Sequence, residues 1–448
     1  MSIVASAFDV LLAETRPLSD RFAARGRSLF LVGGIVRDTL LGRVGGGGID
    51  LDLTTDAAPD EIEEILRSAS PTAVWTQGKR FGTIGANIVG PHGLRAVEIT
   101  TNRAEEYAKD SRKPAVMFAS SIDADLSRRD FTVNAIAVST LDGSLIDPFG
   151  GVADLKARRL RTPVAAVNSF ADDPLRMLRA ARFLAAFDLV AVTEIVEAVE
   201  RVRDRLSIVS RERVHAELIK LLLLPSPGRG LGFLHETTLL DSVVASLGTS
   251  GDTAAWLQRI DELTLDVTVR LAAVMLRPRP GAPREEPDVV AGAQRILRAL
   301  RCSAAEIADM YNLLSARAAL RAMLDADVTP SDGRLRRYVR ARTGAGATAT
   351  ALVRWELAGP PADPARVDAL DRLETQLGSL ASTEDLDDLT SPLNGDEIMA
   401  HLDVPPGQVI GQAQAMLLDA RLDDGPIDDG HARLLLDRWW AARRGDEQ

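Results

Sequence analysis

The sequence has one cysteine, Cys302, and no long apolar segment. A single cysteine excludes a disulfide framework and any multi-cysteine zinc or iron–sulfur site. The longest obvious apolar run, Leu221–Leu224, stops at Pro225, far short of the roughly 18 residues that a membrane-spanning helix needs. The first residues lack a basic region before an apolar core, so we expect no secretory signal and a cytoplasmic location.

Positive charge is also in the minority, with 53 Lys and Arg against 64 Asp and Glu and a net charge of −11. Nucleic-acid binding depends on local basic surface rather than on the total charge. The segment 156–182 carries only two acidic residues. Its seven basic residues are Lys156, Arg158, Arg159, Arg161, Arg176, Arg179 and Arg182. A phosphate-bearing partner is therefore compatible with the net negative charge of the chain.

The hydrophobic periodicity changes near residue 150. Before it, short apolar runs and an alternating segment at Ile49–Leu53 predict strands mixed with helices, and hence an α+β head over residues 1–150 with a mixed sheet. After it, apolar residues three and four apart predict helices throughout. Proline- and glycine-rich breaks divide this part into a helical neck over 151–225, a body over 226–385 and a tail over 386–448.

Two features of the head suggest a polyphosphate site. Asp50 and Asp52 lie two residues apart on a predicted strand, so both carboxylates emerge from one face and suit Mg²⁺. Gly33 and Gly34 separate a strand from a helix that carries Arg37, where backbone N–H groups can hold phosphate. Taken singly, each pattern also fits an exposed strand face or a plain turn.

The order of these motifs resembles the signature of class II tRNA nucleotidyltransferases, which group with bacterial poly(A) polymerases in one nucleotidyltransferase superfamily. The first motif is Leu31–Arg43, followed by Asp50–Thr54. Matching segments follow in the same order at Gly78–Gly85, Val97–Thr101, Asp125–Ala135, Ile146–Leu155 and Phe170–Phe183. The resemblance covers roughly residues 28–225, with a weaker echo at Pro392–Met399.

The resemblance implies template-independent addition of CCA to tRNA 3′ ends from CTP and ATP. Asp50 and Asp52 would hold two Mg²⁺ ions, and Glu98 is either a third ligand or a surface glutamate. An A-adding enzyme or a poly(A) polymerase of the same family would share these motifs. A non-catalytic tRNA-binding protein is the alternative from another class, and the intact acidic and arginine motifs disfavour it.

The same resemblance assigns the nucleotide-binding residues. They are Gly33, Gly34, Arg37, Arg128, Arg129, Asp130, Asn134, Asp173, Arg176, Arg179 and Arg182. The paired arginines of the head would bind phosphates, Asp130 the ribose, and the Asp173–Arg176 pair the base. A carboxylate accepts from the amine of C or A and meets a carbonyl oxygen in U or G. Asp173 or Asp172 could instead cap the helix that follows Pro174.

Segment Arg103–Ser127 fits the family's mobile loop, with Arg103, Tyr107, Asp110 and Arg112 coupling base choice to closure. Its presence favours full CCA addition over CC addition.

Many bacterial relatives carry an HD-type phosphohydrolase domain after the neck, but no His-Asp dipeptide occurs in this sequence. We therefore expect the body to lack those metal ligands and to have no phosphohydrolase activity.

Overall fold

The computed structural model describes residues 7–43, 51–90, 93–106, 115–118, 121–279, 288–326, 328–342 and 344–446. The chain divides into two compact units, with the boundary between Val243 and Val244. The first unit contains the sheet and the helices that follow it, and the second is helical over its described residues. The α+β fold class predicted from the sequence is confirmed.

Eleven strands are present among the described residues of the first unit. They are β1 (Leu29–Val32), β2 (Leu51–Thr55), β3 (Ala73–Trp75), β4 (Thr83–Gly90), β5 (Gly93–Thr101), β6 (Arg103–Glu106), β7 (Ala115–Phe118), β8 (Ala137–Ser139), β9 (Leu145–Ile146), β10 (Arg159–Leu160) and β11 (Val190–Ala191). Seven of them form one sheet in the order β3-β4-β5-β2-β1-β8-β9. Within that sheet β2 and β5 are parallel and the other pairs antiparallel, so it is mixed as predicted.

The central strands alternate in burial, as strands with one covered face do. Leu51 and Leu53 of β2 are each 1% exposed, whereas Asp52 between them is exposed. Val97 and Ile99 of β5 are fully buried on either side of the exposed Glu98. The side chains of Asp52 and Glu98 therefore lie on the opposite face from the apolar core.

The helices of the first unit begin before the sheet and dominate after it. They are α1 (Asp9–Ala24), α2 (Gly34–Leu40), α3 (Pro59–Ser68), α4 (Ile122–Ser127), α5 (Gly151–Lys156), α6 (Ala166–Asp172), α7 (Leu175–Phe187), α8 (Thr193–Val202), α9 (Arg211–Leu222), α10 (Gly228–Glu236) and α11 (Leu239–Val243). Helix α7 is the core of the predicted neck, and Met177, Ala180 and Ala181 on it are fully buried.

The second unit consists of helices over its described residues. They are α12 (Thr253–Arg259), α13 (Val267–Met275), α14 (Val289–Ala299), α15 (Ala304–Leu324), α16 (Asp332–Ala341), α17 (Gly346–Ala358), α18 (Pro364–Thr383), α19 (Gly395–Leu402), α20 (Gln408–Asp424) and α21 (Asp429–Asp446). Two buried glutamates link its helices: Glu356 is bound by Arg317 at 2.7 Å, and Glu384 by Arg336 at 2.8 Å. No described helix in either unit is long and apolar enough to cross a bilayer.

The structure differs from the sequence expectations in two places. The neck contains a short parallel pair, β10 with β11, because the chain turns back at Asp188, whose left-handed backbone ends α7. The segment predicted as a mobile loop, Arg103–Ser127, includes the antiparallel hairpin β6–β7 and helix α4. The predicted boundaries at residues 150, 225 and 385 stay predictions.

An ion pair ties helix α1 to the β4–β5 hairpin. The Arg95 guanidinium donates to both Glu14 oxygens, at 2.6 and 3.0 Å, and the two side chains are 9% and 2% exposed. A second pair, between Arg25 and Glu64, lies at the surface with side chains 43% and 67% exposed. The two pairs have similar chemistry and differ mainly in burial.

Replacing Glu14 with alanine should lower the free energy of unfolding by about 3–5 kcal/mol, because Arg95 would remain buried without its counter-charge. Urea denaturation followed by circular dichroism measures the change. The control Glu64→Ala removes the exposed pair and should cost less than about 1 kcal/mol. Equal losses for the two variants would contradict the structural role given to the buried pair.

Candidate active site

Strand β1 leads into a glycine turn that lies against an arginine. Gly33 has φ +73° and ψ −132°, a conformation that L side chains rarely adopt. A Cβ on Gly33 would lie 3.1 Å from Nη1 of Arg129. The predicted phosphate-binding turn and the second arginine of the Arg128–Arg129 pair are thus brought together although 96 residues separate them in the sequence.

Both arginines of this pair are held by one carboxylate, that of Asp125 in helix α4. Arg128 donates to its Oδ1 at 2.7 and 3.1 Å, and Arg129 to its Oδ2 at 2.9 and 3.2 Å. The Asp125 side chain is completely buried. Burial raises its pKa, but the charges and hydrogen bonds of Arg129 and Arg128 outweigh that effect and lower the pKa below its ordinary value.

Asp130 joins the head to the neck. Its Oδ2 accepts from Arg179 of α7 at 2.5 and 2.9 Å, and its Oδ1 accepts from the Asn134 amide at 2.9 Å. Burial again raises the pKa of the Asp130 carboxyl, yet the Arg179 charge and the hydrogen bonds from Asn134 and Arg179 hold it below its usual value. Asp130 is therefore ionised at neutral pH despite being only 8% exposed.

Asn134 continues this connection to Arg37. Nη1 of Arg37 donates to Oδ1 of Asn134 at 2.6 Å, while its Nε and Nη2 each donate to Asp38 at 2.9 Å. The guanidinium carbon lies 4.0 Å from the ring centroid of Phe187, near the end of α7. Arg37 is 8% exposed, so its side chain is fixed by contacts on several sides.

Helix α7 makes a second contact with the Arg128–Asp130 segment through Arg176. Nη2 of Arg176 donates to the Arg128 carbonyl at 2.5 Å, and Nη1 donates to Oγ of Ser169 at 2.7 Å. Arg182, two turns further on, donates to the buried Glu217 of α9 at 2.8 Å. All three predicted neck arginines, Arg176, Arg179 and Arg182, are thus oriented by named partners.

Pro174 occupies the N-cap position of α7 without a side-chain cap bond, and the preceding residue, Asp173, supplies a cap by accepting from the N–H of the first helical residue. Its Oδ1 accepts from the backbone N–H of Leu175 at 3.2 Å, and its Oδ2 lies 3.3 Å from Arg213 of α9. The side chain is 29% exposed. Capping therefore uses one oxygen only, and base reading by Asp173 stays a prediction.

The carboxylates lie on neighbouring parallel strands. Asp52 on β2 and Glu98 on β5 are direct register partners, and both are exposed. Partners in register project from the same face, with strands about 4.8 Å apart. Asp52 and Glu98 could share a cation, since clustered carboxylate oxygens suit a hard divalent ion. Asp50 lies outside the described residues.

The structure describes only a small part of the site residues that were predicted for the mobile loop. Tyr107, Asp110 and Arg112 lie outside the described residues, and only the backbone of Arg103, in β6, is described. Their role in closure stays a prediction, as does the absence of phosphohydrolase activity in the body.

Sequence reasoning missed two residues that organise this site, Asp125 and Glu217. Asp125 lies three and four residues before Arg128 and Arg129, the spacing that brings side chains together on a helix. That signal was available in the sequence. The long-range contact between Glu217 and Arg182, 35 residues apart, had no comparable local signal.

Comparison with known families identifies two matching regions. Residues 29–161 match the family described as the poly(A) polymerase head domain. Residues 193–247 match the family described as a probable RNA- and SrmB-binding site of polymerase A. The first region contains the glycine turn, the carboxylates and the Arg128–Asp130 segment.

Two curated relatives are CCA-adding enzymes. That of Levilactobacillus brevis is 36% identical over 257 residues, which are 54% of this chain and 62% of the relative. That of Lactobacillus gasseri is 30% identical over 303 residues, which are 67% of this chain and 72% of the relative. The match to the first relative thus spans less than two thirds of that protein's length.

A solved structure resembles nearly the whole chain. It is the Bacillus stearothermophilus CCA-adding enzyme in complex with CTP, with a TM-score of 0.64 and 23% identity over 99% of this chain and 100% of that one. At this identity the likeness establishes the fold alone. The structural likeness also covers parts of the chain outside the two regions that match the families by sequence.

The pKa of Asp125 gives a pH-dependent test. Its folded-state pKa lies below the unfolded value of about 3.9, so its ionisation stabilises the fold above that pH and ceases to do so as the pH falls through the folded-state pKa. Asp125→Asn should therefore be less stable than wild type at pH 7, and the difference should narrow on acidification below about pH 4. Urea titrations at a series of pH values measure it.

The matched control for that experiment is Asp20→Asn, which alters an exposed pair with Arg16. It should differ from wild type by less than about 1 kcal/mol at each pH. A stability difference for Asp125→Asn that stayed constant from pH 7 to pH 3 would contradict the assignment of Asp125 as an ionised anchor.

Proposed function

Because this chain belongs to the nucleotidyltransferase family of CCA-adding enzymes and poly(A) polymerases, we propose that it adds C, C and A to tRNA 3′ ends from CTP and ATP. The observation that carries the proposal is the contact between helix α7 and the Arg128–Asp130 segment. Arg176 and Arg179 both donate hydrogen bonds to that segment, within 2.5 Å. We place the reaction in the cytoplasm, where tRNA, CTP and ATP occur together.

This contact supports a single nucleotide site shared by head and neck. Gly33 and Arg129 offer a backbone turn and a guanidinium for the triphosphate, and bidentate arginines suit phosphate oxygens. Asp130 is ionised and can accept from a ribose hydroxyl with its remaining lone pairs. A nucleotide held there would present its base to the start of α7, where Asp173 and Arg176 lie.

Protein side chains would then select the base without a nucleic-acid template. The Asp173 carboxylate accepts a hydrogen bond from the exocyclic amine of C or A, and Arg176 donates to the acceptors of the base. U and G present a carbonyl oxygen in place of that amine. The unpaired acceptors would cost roughly 1–3 kcal/mol each, enough to disfavour UTP and GTP.

Enzymes of this family generally depend on a divalent metal. We propose that Asp50 and Asp52, with Glu98 beside Asp52, hold two Mg²⁺ ions. The exposed, in-register carboxylates of Asp52 and Glu98 fit the oxygen ligands that Mg²⁺ prefers. When bound, the ions would activate the primer 3′-hydroxyl and neutralise charge on the triphosphate and the departing pyrophosphate.

We assign the second family region, residues 193–247, to the tRNA acceptor arm. Recognition there would rest on shape and phosphate contacts, as is usual for double-stranded RNA. Arg213 of α9 adds positive charge close to Asp173, and Arg211 is a second basic residue of the same helix. The growing 3′ end would in this way stay near the nucleotide site through three successive additions.

Incubation of the pure protein with a tRNA lacking CCA and with each NTP tests the function. CCA addition gives three added nucleotides and then a halt. A long A tail would instead identify a poly(A) polymerase, and addition of AMP only to a CC-ended tRNA would identify an A-adding enzyme. Binding of tRNA without incorporation would favour a non-catalytic tRNA-binding protein.

Replacing either Asp50 or Asp52 with alanine should abolish incorporation, because the proposed cations would lose a ligand, while tRNA binding stays largely intact. Incorporation and gel-shift assays on the same preparations separate the two effects. Glu64→Ala, which removes an exposed carboxylate of α3 on the same domain, is the control and should be fully active. Normal incorporation by the Asp52 variant would overturn the metal assignment.

Asp173→Asn should relax base selection without loss of the helix cap. The asparagine oxygen can still accept from the Leu175 N–H, but its amide group now donates toward the base. We expect the CTP:UTP ratio of kcat/KM to fall by about tenfold or more. An unchanged ratio with normal stability would leave Asp173 as a cap only.

A further inference from the structure

A tryptophan lies in the same cross-sheet row as the two carboxylates. Asp52 on β2 pairs with Glu98 on β5, Glu98 pairs with Gly85 on β4, and Gly85 pairs with Trp75 on β3. Register partners project from one face, so all four positions share the polar face of the sheet. The opposite face is the core, where Ile84 is fully buried.

The Trp75 indole does not project straight outward from its edge strand. A Cβ on Gly85 would lie 2.0 Å from both Cε2 and Nε1 of the ring, and 2.5 Å from Cζ2. The ring therefore lies on the Gly85 backbone, in the place that a side chain would otherwise fill. It is half-buried, and it extends toward Glu98 because Gly85 lies between Trp75 and Glu98 in the row. Strand spacing then puts it about 10 Å from the Asp52 position.

The proposed reaction geometry places the Trp75 ring on the side of the site from which the tRNA 3′ end approaches. The glycine turn follows β1 and lies against Arg129, and β1 adjoins β2 on one side, whereas β5, β4 and Trp75 lie on the other. In nucleotidyl transfer the attacking and leaving oxygens are roughly in line. With the leaving pyrophosphate on the β1 side, the attacking 3′-hydroxyl approaches from the β5 side, where Trp75 lies.

We infer that the Trp75 indole stacks on the terminal base of the tRNA 3′ end and positions its 3′-hydroxyl. This inference rests on the proposed function. The base of the incoming nucleotide is already assigned to helix α7. The tRNA 3′ end is therefore the ligand that remains for the β5 side of the site, where Trp75 lies. Aromatic stacking tolerates any base. That tolerance suits a primer that ends in the tRNA's own last base before the first addition and in C afterwards.

The test compares Trp75→Leu with Trp75→Phe on a tRNA lacking CCA. The leucine variant should raise the KM for tRNA by about tenfold while the KM for CTP changes by less than about twofold. The phenylalanine variant keeps a ring and should recover most of the loss. An unchanged KM for tRNA, or an increase confined to CTP, would overturn the inference.

A second substrate separates stacking from a structural effect. On a tRNA whose terminal nucleotide is abasic, wild type and Trp75→Leu should have the same KM, because no base is present to stack. An equal penalty on both substrates would mean that Trp75 only supports the sheet, and would refute the inference. If Trp75→Leu fails to fold, Gly85→Ala replaces it, since its Cβ displaces the ring and should raise the KM for tRNA in the same way.

Failure of the proposed function is distinguishable from failure of this inference. Wild-type protein that adds no nucleotide to the intact tRNA would refute both. Wild-type protein that adds CCA normally, with a Trp75→Leu variant indistinguishable from it, would refute the role of Trp75 alone.

Discussion

A buried carboxylate, Asp130, accepts hydrogen bonds from the neck helix α7 and from the head at the same time. Removing an ionised group from water is costly, and here the Arg179 guanidinium and the Asn134 amide offset that cost. Because Asn134 also binds Arg37, which stacks on Phe187, the contacts form a closed path from head to neck and back. The relative position of α7 and the Arg128–Asp130 segment is therefore set by charge and geometry together. The proposed selection of a base by side chains depends on that position.

A buried carboxylate also orients the residues proposed to bind the triphosphate. Two adjacent arginines would repel each other, but Asp125 binds one with each of its carboxylate oxygens and so restrains both guanidinium groups. One buried charge thus orients two partly buried ones. Gly33 then allows one of these guanidinium groups to approach the backbone, where a Cβ would lie only 3.1 Å from it. The site is preorganised before any ligand binds, so little side-chain entropy remains to be lost on binding.

Patterns local in sequence predicted much of this structure. The alternation around Asp52 and the glycines after β1 indicated the strand and the turn, and the helical periodicity after residue 150 indicated the neck. Contacts between distant residues were not predictable, because a single sequence contains no record of them. The register of Asp52 with Glu98 and the pairing of Arg182 with Glu217 are examples. Asp125 is intermediate, since its helical spacing was visible but its complete burial was not.

The one parallel pairing in the main sheet has a consequence for folding. Asp52 and Glu98 become neighbours only when β2 and β5 associate, and α3, β3 and β4 lie in the chain between those two strands. Pairings between distant segments form slowly because loop closure costs entropy. A chain leaving the ribosome thus completes its first hundred residues before these two acidic groups can meet. A fragment that ends before β5 lacks the second of these carboxylates and so contains only part of the proposed metal site.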